Sequence, residues 1–407
     1  MCKKCAFSIC SKNYLSQAFT LRESFIKYNP GIDFHIFLAD EYDAKLLDEY
    51  KFIIQLSNEI VPGWEDMAFK YDVIEFNTSI KPFCIDYLLK RYERVIYLDP
   101  DIYVVSSLDT IYEMLNDKDF VITPHFNHIE INFTGSVSEE ELLFVGIYNL
   151  GFCAIKNSEV GEQIISWWKK RLQHKCFADK DSALHVDQKW IDFLPAAYPN
   201  NVLICQHPGI NMAIWNLHER ILETENNPYY VKDTVTKQSF PLLFFHFSGF
   251  DPFNKNVLNR RHPQFNISDY PVYKNIINEY ATEVYKNGYE FFSKQIYGFN
   301  QFDNGIRILP VNRRIYNSWS IDNYYENLFS ADGVLYKECK KKKLLSKAKN
   351  SKVAILKVDT NVKSKKYTQL NKIMKIVFKI LGIDRYDAFL RALNRISQKN
   401  YQSNIIG

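Results

Sequence analysis

From about residue 5 to residue 250, short apolar runs alternate with stretches of helical period, and this alternation constrains the fold more than any other feature of the chain. Residues 6–10, 33–40, 52–55, 94–98, 102–105, 121–124, 147–155 and 242–247 read as strands, being apolar, β-branched or aromatic. Helical stretches lie between several of them: up to about residue 28, around 42–50, over 70–91 and over 162–172. Asn77-Thr78-Ser79 offers a cap before Lys81-Pro82. Strands separated by helices predict an α/β fold whose parallel sheet is joined by crossover helices. With 407 residues, 46% of them hydrophobic, the chain can bury one large core or two smaller ones.

Open α/β sheets bind ligands outside the carboxyl ends of their strands. Asp99-Pro100-Asp101 occupies such an end, directly after the apolar run Arg94-Val-Ile-Tyr-Leu98. Two carboxylates one residue apart suit a hard divalent cation such as Mg²⁺ or Mn²⁺, which bridges them to substrate phosphates. The competing reading is an acidic turn, because Asp bonds readily to its own backbone. Later in the chain come Asn149-Leu-Gly151, then Asp187-Gln188, then His246-Phe-Ser-Gly249.

These four pieces, in this order, resemble the motifs of a type-A-fold glycosyltransferase. They are most similar to glycosyltransferase family 8 and related bacterial cell-surface polysaccharide glycosyltransferases. The resemblance spans roughly residues 5–255 and implies a Rossmann-like fold with a mixed, mostly parallel central sheet. It implies that Asp99, Asp101 and His246 hold Mn²⁺ (or Mg²⁺) on the diphosphate of a nucleotide-sugar, UDP-hexose by default. Without it, His246 reads equally well as a core histidine and Lys81 as a solvated helix lysine; with it, Lys81 touches the donor. Ser11 and Asp40, ending the first two strands, fall where this fold meets the nucleoside. Asn149 and Gly151 line the donor sugar, the glycine admitting close backbone approach. Asp187 lies near the sugar hydroxyls with Gln188 beside it, although Asp-Gln also suits a helix N-cap. The chain departs from the family after Gly249: Lys-Pro-Trp is expected, but Phe250-Asp-Pro-Phe-Asn-Lys255 follows. Lys255, Arg260 or Arg261 then stands in for the missing diphosphate-binding lysine.

The resemblance implies transfer with retention. A front-face route, in which the leaving phosphate takes the acceptor's proton, is preferred to a nucleophilic Asp187 because it needs no enzymic nucleophile, and the expected acceptor is a saccharide or lipid-linked oligosaccharide. Two rivals stay open: a sugar nucleotidyltransferase, against which stands the lack of a glycine-rich loop after Cys10, and a non-catalytic sugar-binding or membrane adaptor.

Charge divides the chain. From Lys337 onward there are 19 basic and four acidic residues, so a net +4 overall conceals an acidic body and a basic tail. Apolar residues 370, 373, 374, 377, 380 and 381 share one helical face, with lysines 372, 375 and 379 opposite. Such a helix predicts binding to an anionic membrane surface, while the acidic body speaks against nucleic acid. Three regions are expected: a catalytic domain over 1–256, a helical extension over 257–336, and a lysine-rich linker with amphipathic helices over 337–407. The eight scattered cysteines form no disulfide framework, and no run reaches the ~18–20 apolar residues of a membrane span. A cytoplasmic protein, peripheral on the inner face of the membrane, is the expectation.

Overall fold

The computed structural model describes residues 3–254, 257–260, 267–321, 323–346 and 365–406. The chain divides into two compact units, one of residues 1–67 and 73–297, the other of residues 68–72 and 298–407.

The first unit is built on a seven-stranded sheet. Its strands include β1 (Lys4–Cys10), β2 (Asp33–Leu38), β3 (Ile53–Gln55), β4 (Arg94–Leu98), β6 (Phe120–Pro124) and β7 (Tyr148–Lys156). The seventh is Val202–Ile204, and the order is Val202–Ile204, β6, β7, β4, β1, β2, β3. Only β7 runs antiparallel to its neighbours. The α/β class and the mixed, mostly parallel sheet expected from the sequence are both present. β1 sits centrally and is buried along nearly its whole length, which is why it reads as a continuous apolar run and does not alternate.

From β1 the chain adds β2 and β3 on one side, then returns to lay β4 on the other. The crevice between β1 and β4 is thus a topological switch point, where open sheets of this kind bind ligands. Beyond β4 the chain turns at once into β5 (Ile102–Val104), which leaves the main sheet and pairs antiparallel with Phe244–His246. In that register His246 faces Ile102, and the histidine is carried beside Asp101.

Among the described residues, two apolar clusters pack the unit. One packs Leu15, Leu21 and Phe25 of the helix Leu15–Tyr28 against Ile36, Ile96 and Phe152. The other joins Met212, Phe245 and Phe247 to the helix Lys274–Lys286. Phe247 and Tyr280 stack with centroids 4.1 Å apart, a contact worth about 1 kcal/mol beyond burial. The Tyr- and Asn-rich helical stretch after Tyr270 therefore backs the strand that ends at His246.

One local expectation is corrected. Asn77, Thr78 and Ser79 do not cap the helix Lys81–Leu89; they end the preceding helix Val73–Ser79. Their side chains bond back to carbonyls of that helix, including Asn77 Nδ2 to Val73 O and Thr78 Oγ1 to Ile74 O. Ser, Thr and Asn satisfy a helix backbone from within as readily as from a cap.

The second unit has a small core of Phe69, Phe302, Ile308, Tyr316 and Leu335. At its centre Arg313 donates to the carbonyls of Ala68, Phe69, Tyr71 and Phe299. The helix Lys365–Ser397 is broken at Gly382 (φ 69°) and carries exposed Leu370, Ile373, Ile376 and Ile380. Much of the lysine-rich linker, residues 347–364, lies outside the described residues. Among them, no helix is long and apolar enough to cross a membrane.

Candidate active site

Asp99-Pro-Asp101 forms a tight turn between β4 and β5, closed by the Ile102 N–H donating to Asp99 O at 3.1 Å, with Pro100 stiffening its second position. Both readings of this segment hold: it is an acidic turn, and it presents two carboxylates to one histidine. His246 Nε2 lies 3.1 Å from Asp101 Oδ1 and 3.8 Å from Asp99 Oδ2. One ligand atom from each of the three residues falls within 4.8 Å of the others. The ring's other nitrogen, Nδ1, is held by Asn211 Oδ1 at 3.1 Å. That leaves Nε2, with the two carboxylates, as a mixed oxygen–nitrogen donor set, which suits Mn²⁺ better than Ca²⁺. The residues present fit a divalent cation.

A cavity of about 220 Å³ opens beside the triad and is lined by Lys81, Asp99, Asn149, Gly151, Asp187, Gln188 and His246, among others. Seven residues singled out in the sequence thus converge from five parts of the chain.

No protein-family model matches the chain. Among curated proteins it is similar to uncharacterized protein YfnF of Bacillus subtilis, 25% identical over 271 residues, 63% of this chain and 84% of YfnF. YfnD of the same organism is 21% identical over 229 residues, 54% and 69% of the two chains. Among solved structures it is similar to the galactosyltransferase LgtC with donor and acceptor sugar analogues, at 15% identity and a TM-score of 0.40, covering 68% of this chain and 95% of LgtC. The glycosyltransferase GlyE of Streptococcus pneumoniae TIGR4 matches at 14% identity and a TM-score of 0.41, over 75% and 67%. A PBCV-1 capsid glycosyltransferase matches at 12% and 0.35, over 60% and 93%. These neighbours are glycosyltransferases. At such scores the likeness carries no argument about chemistry, which rests on the residues.

Lys81 is no solvated helix lysine. It is buried, donates to Asp187 Oδ2 at 2.5 Å and to Leu150 O at 2.7 Å, and its ammonium lies 4.1 Å from the centre of the Tyr97 ring. Burial alone would lower its pKa, but Asp187 and Asp99 outweigh that and hold it above the usual lysine value. Burial raises the pKa of Asp187, opposed by the same lysine. Asp99 is raised too, by loss of hydration first, with Lys81 and His246 pulling the other way. Tyr97 donates its hydroxyl to Asp99 Oδ1 at 2.5 Å.

Asp187 stands at the N-cap of the short helix Gln188–Ile191 but makes no side-chain cap; its carboxylate goes to Lys81. Gln188 accepts from the Leu150 N–H and donates to Val145 O, so its amide braces β7. Asn149 Oδ1 accepts from the Gly151 N–H, and Asn149 Nδ2 donates to His125 Nε2. Gly151 has a sharper role than expected: a Cβ there would come within 2.3 Å of His246 Cε1, so the close approach it admits is that of the histidine ring.

Ser11 and Asp40 lie at the carboxyl ends of β1 and β2 but do not line this cavity. Ser11 Oγ donates to Asn13, and Asp40 accepts from the Lys12 and Glu41 N–H groups, joining the two strand ends. Gly249 adopts φ +70°, and its neighbours Ser248 and Asn259 reach the cavity. Lys255 and Arg261 lie outside the described residues.

The sequence reading missed His125, Asn211 and Trp215. His125 follows β6 and meets the strand-end rule that singled out Asp99. Asn211 ends the turn-like run His207-Pro-Gly-Ile-Asn211. Trp215 had no signal, since its place edge-on to both His125 and His246 arises only in three dimensions.

Proposed function

We propose that this chain is a metal-dependent glycosyltransferase that moves a hexose from a nucleotide-sugar, a UDP-sugar by preference, to a saccharide or lipid-linked oligosaccharide in cell-surface polysaccharide synthesis. The observation that carries the reading is the convergence of Asp99, Asp101 and His246 on one point beside a cavity walled by Lys81, Asn149, Asp187 and Gln188. When bound there, Mn²⁺ or Mg²⁺ supplies charge that offsets the negative charge growing on the leaving diphosphate. Lys81 adds a fixed positive charge to the same cavity, partly balanced by Asp187. Asn149 and Gln188, their amides already bonded within the protein, form a rigid wall for the sugar.

In the transfer, the bond from the anomeric carbon to the leaving phosphate oxygen breaks and a bond to the acceptor oxygen forms. The acceptor's proton passes to the departing diphosphate. Retention by this front-face route needs no enzymic nucleophile. The commitment of Asp187 to Lys81 supports it over a double displacement, which would need a free carboxylate on the opposite face.

The exposed apolar residues of the helix Lys365–Ser397, with lysines 372, 375 and 379 on its other side, support a peripheral site on the cytoplasmic face of the membrane.

The deciding experiment is hydrolysis of a nucleotide-sugar panel with and without Mn²⁺, beside an Asp99→Ala/Asp101→Ala variant. Metal-dependent diphosphate release from one donor, lost in the variant, is expected. An absence of both turnover and metal-dependent donor binding across the panel sinks the reading.

A further inference from the structure

We propose that Asn211 is a positioning residue for the cation site: its amide locks the His246 ring in the orientation that aims Nε2 at Asp99 and Asp101. This rests on the reading of those three residues as a cation site.

The argument follows the direction of each hydrogen bond. The Gly151 N–H can only donate, so the atom of Asn149 facing it at 3.1 Å is the amide oxygen. The same oxygen faces Asn211 at 3.0 Å, so Asn211 turns its NH₂ group there, and its second proton goes to Thr123 Oγ1 at 3.1 Å. With its nitrogen committed, Asn211 presents Oδ1 to His246 Nδ1, which must therefore carry a proton. The far end of the chain agrees. Ile147 O can only accept, so His125 Nδ1 is protonated and its Nε2 accepts from Asn149 Nδ2 at 3.3 Å. Backbone groups at both ends thus dictate the direction of every bond between them. A flipped Asn211 would set oxygen against oxygen at Asn149.

The backbone bearing Asn211 is also held. Its φ of +59° lies in the left-handed region that asparagine tolerates. Its carbonyl accepts from Asn216 Nδ2, and buried Arg220 donates to the carbonyls of Pro208 and Ile210 beside it. Trp215 stands at 90° to the His246 ring, 5.2 Å away, and limits its swing. A metal-binding histidine whose other nitrogen is anchored in this way binds about 10–100-fold more tightly than one left free.

The test is Mn²⁺ titration of the full chain by electron paramagnetic resonance. Asn211→Gly keeps the left-handed backbone, removes the amide, and is expected to weaken Mn²⁺ binding about 10–100-fold. Asn211→Asp keeps an acceptor for the Nδ1 proton but sets oxygen against oxygen at Asn149; it is expected to lower the melting temperature and yet bind Mn²⁺ more tightly than Asn211→Gly. Thr123→Val removes one hydrogen bond of the same network; it lowers the melting temperature without weakening Mn²⁺ binding. A folded Asn211→Gly protein that binds like the parent overturns the proposal. Should that variant not fold, ¹⁵N-histidine spectra of the Mg²⁺-loaded parent decide, with His246→Gln used for assignment. A ring protonated at Nδ1 supports the proposal, and one protonated at Nε2 overturns it. A parent that binds no Mn²⁺, or binds it regardless of Asp99→Ala/Asp101→Ala, overturns the cation reading and this proposal together.

Discussion

Single residues in this site are held by geometry the chain cannot relax. His125 is buried, and burial pushes its pKa down to about 4 from an ordinary 6.5, against the backbone hydrogen bond to Ile147 that favours the proton. The folded state therefore binds fewer protons than the unfolded chain between pH 6.5 and 4. Stability from this group is complete above pH 6.5 and is lost as pH falls through that window, by about 3 kcal/mol in all. Thermal melts of the parent should drop across this range, and His125→Asn should flatten that part of the profile. Gly151→Ala is a second test. Its new methyl would meet His246 Cε1 at 2.3 Å and Nδ1 at 2.8 Å, so the ring must shift. The expected result is a stability loss of about 1–3 kcal/mol, seen in denaturant melts, and weaker Mn²⁺ binding by calorimetry. At this scale the sequence was informative about chemical type and poor about partners. Asp99 could be named from its place at a strand end and His246 only through the family resemblance, but the anchoring Asn211 could not, because a polar residue in a Pro-Gly turn is ordinary.

At the scale of elements, β7 is the strand on which the site is assembled. Around Leu150 its ladder with β6 shifts register. The backbone groups freed there are taken by side chains: Gln188 accepts from the Leu150 N–H, and Lys81 donates to its carbonyl. The helix Lys81–Leu89, β7 and the Asp187–Gln188 segment are thus pinned together at one residue. Lys81 and Asp187 are almost fully buried, and removing one partner strands a charge. Lys81→Met or Asp187→Leu alone is expected to cost about 3–5 kcal/mol in urea melts, and the double substitution clearly less than the sum. A double variant as unstable as the two single losses combined would show that the pair is not coupled. Six of the seven strands of the sheet were legible because buried strands are continuously apolar, whereas the three-residue edge strand Val202–Ile204 was not. The end of one helix and the start of the next at residues 79–81 were not, since Asn, Thr and Ser bond to a helix backbone from within as well as from outside.

For the whole molecule, charge and apolar exposure separate the tail from the body. Lys372→Gln/Lys375→Gln/Lys379→Gln is expected to lower partitioning onto phosphatidylserine vesicles by about 100-fold at low salt, at about 1 kcal/mol per lysine, and far less at high salt. Nucleotide-sugar hydrolysis in solution should be unchanged. Co-sedimentation that ignores both the lysines and the salt would remove the membrane role. The amino-acid sequence by itself determined the class of fold, the strand ends where ligands can bind and the basic character of the tail, because these follow from local periodicity and charge. Tertiary structure alone decided which side chains meet. Lys81 and Asp187 stand 106 residues apart and share one buried hydrogen bond. The antiparallel pairing of β5 with Phe244–His246 is what brings the histidine to the carboxylates. Contacts of that kind depend on strand order and register, which are set by packing of the whole sheet and leave no mark on the residues that benefit from them.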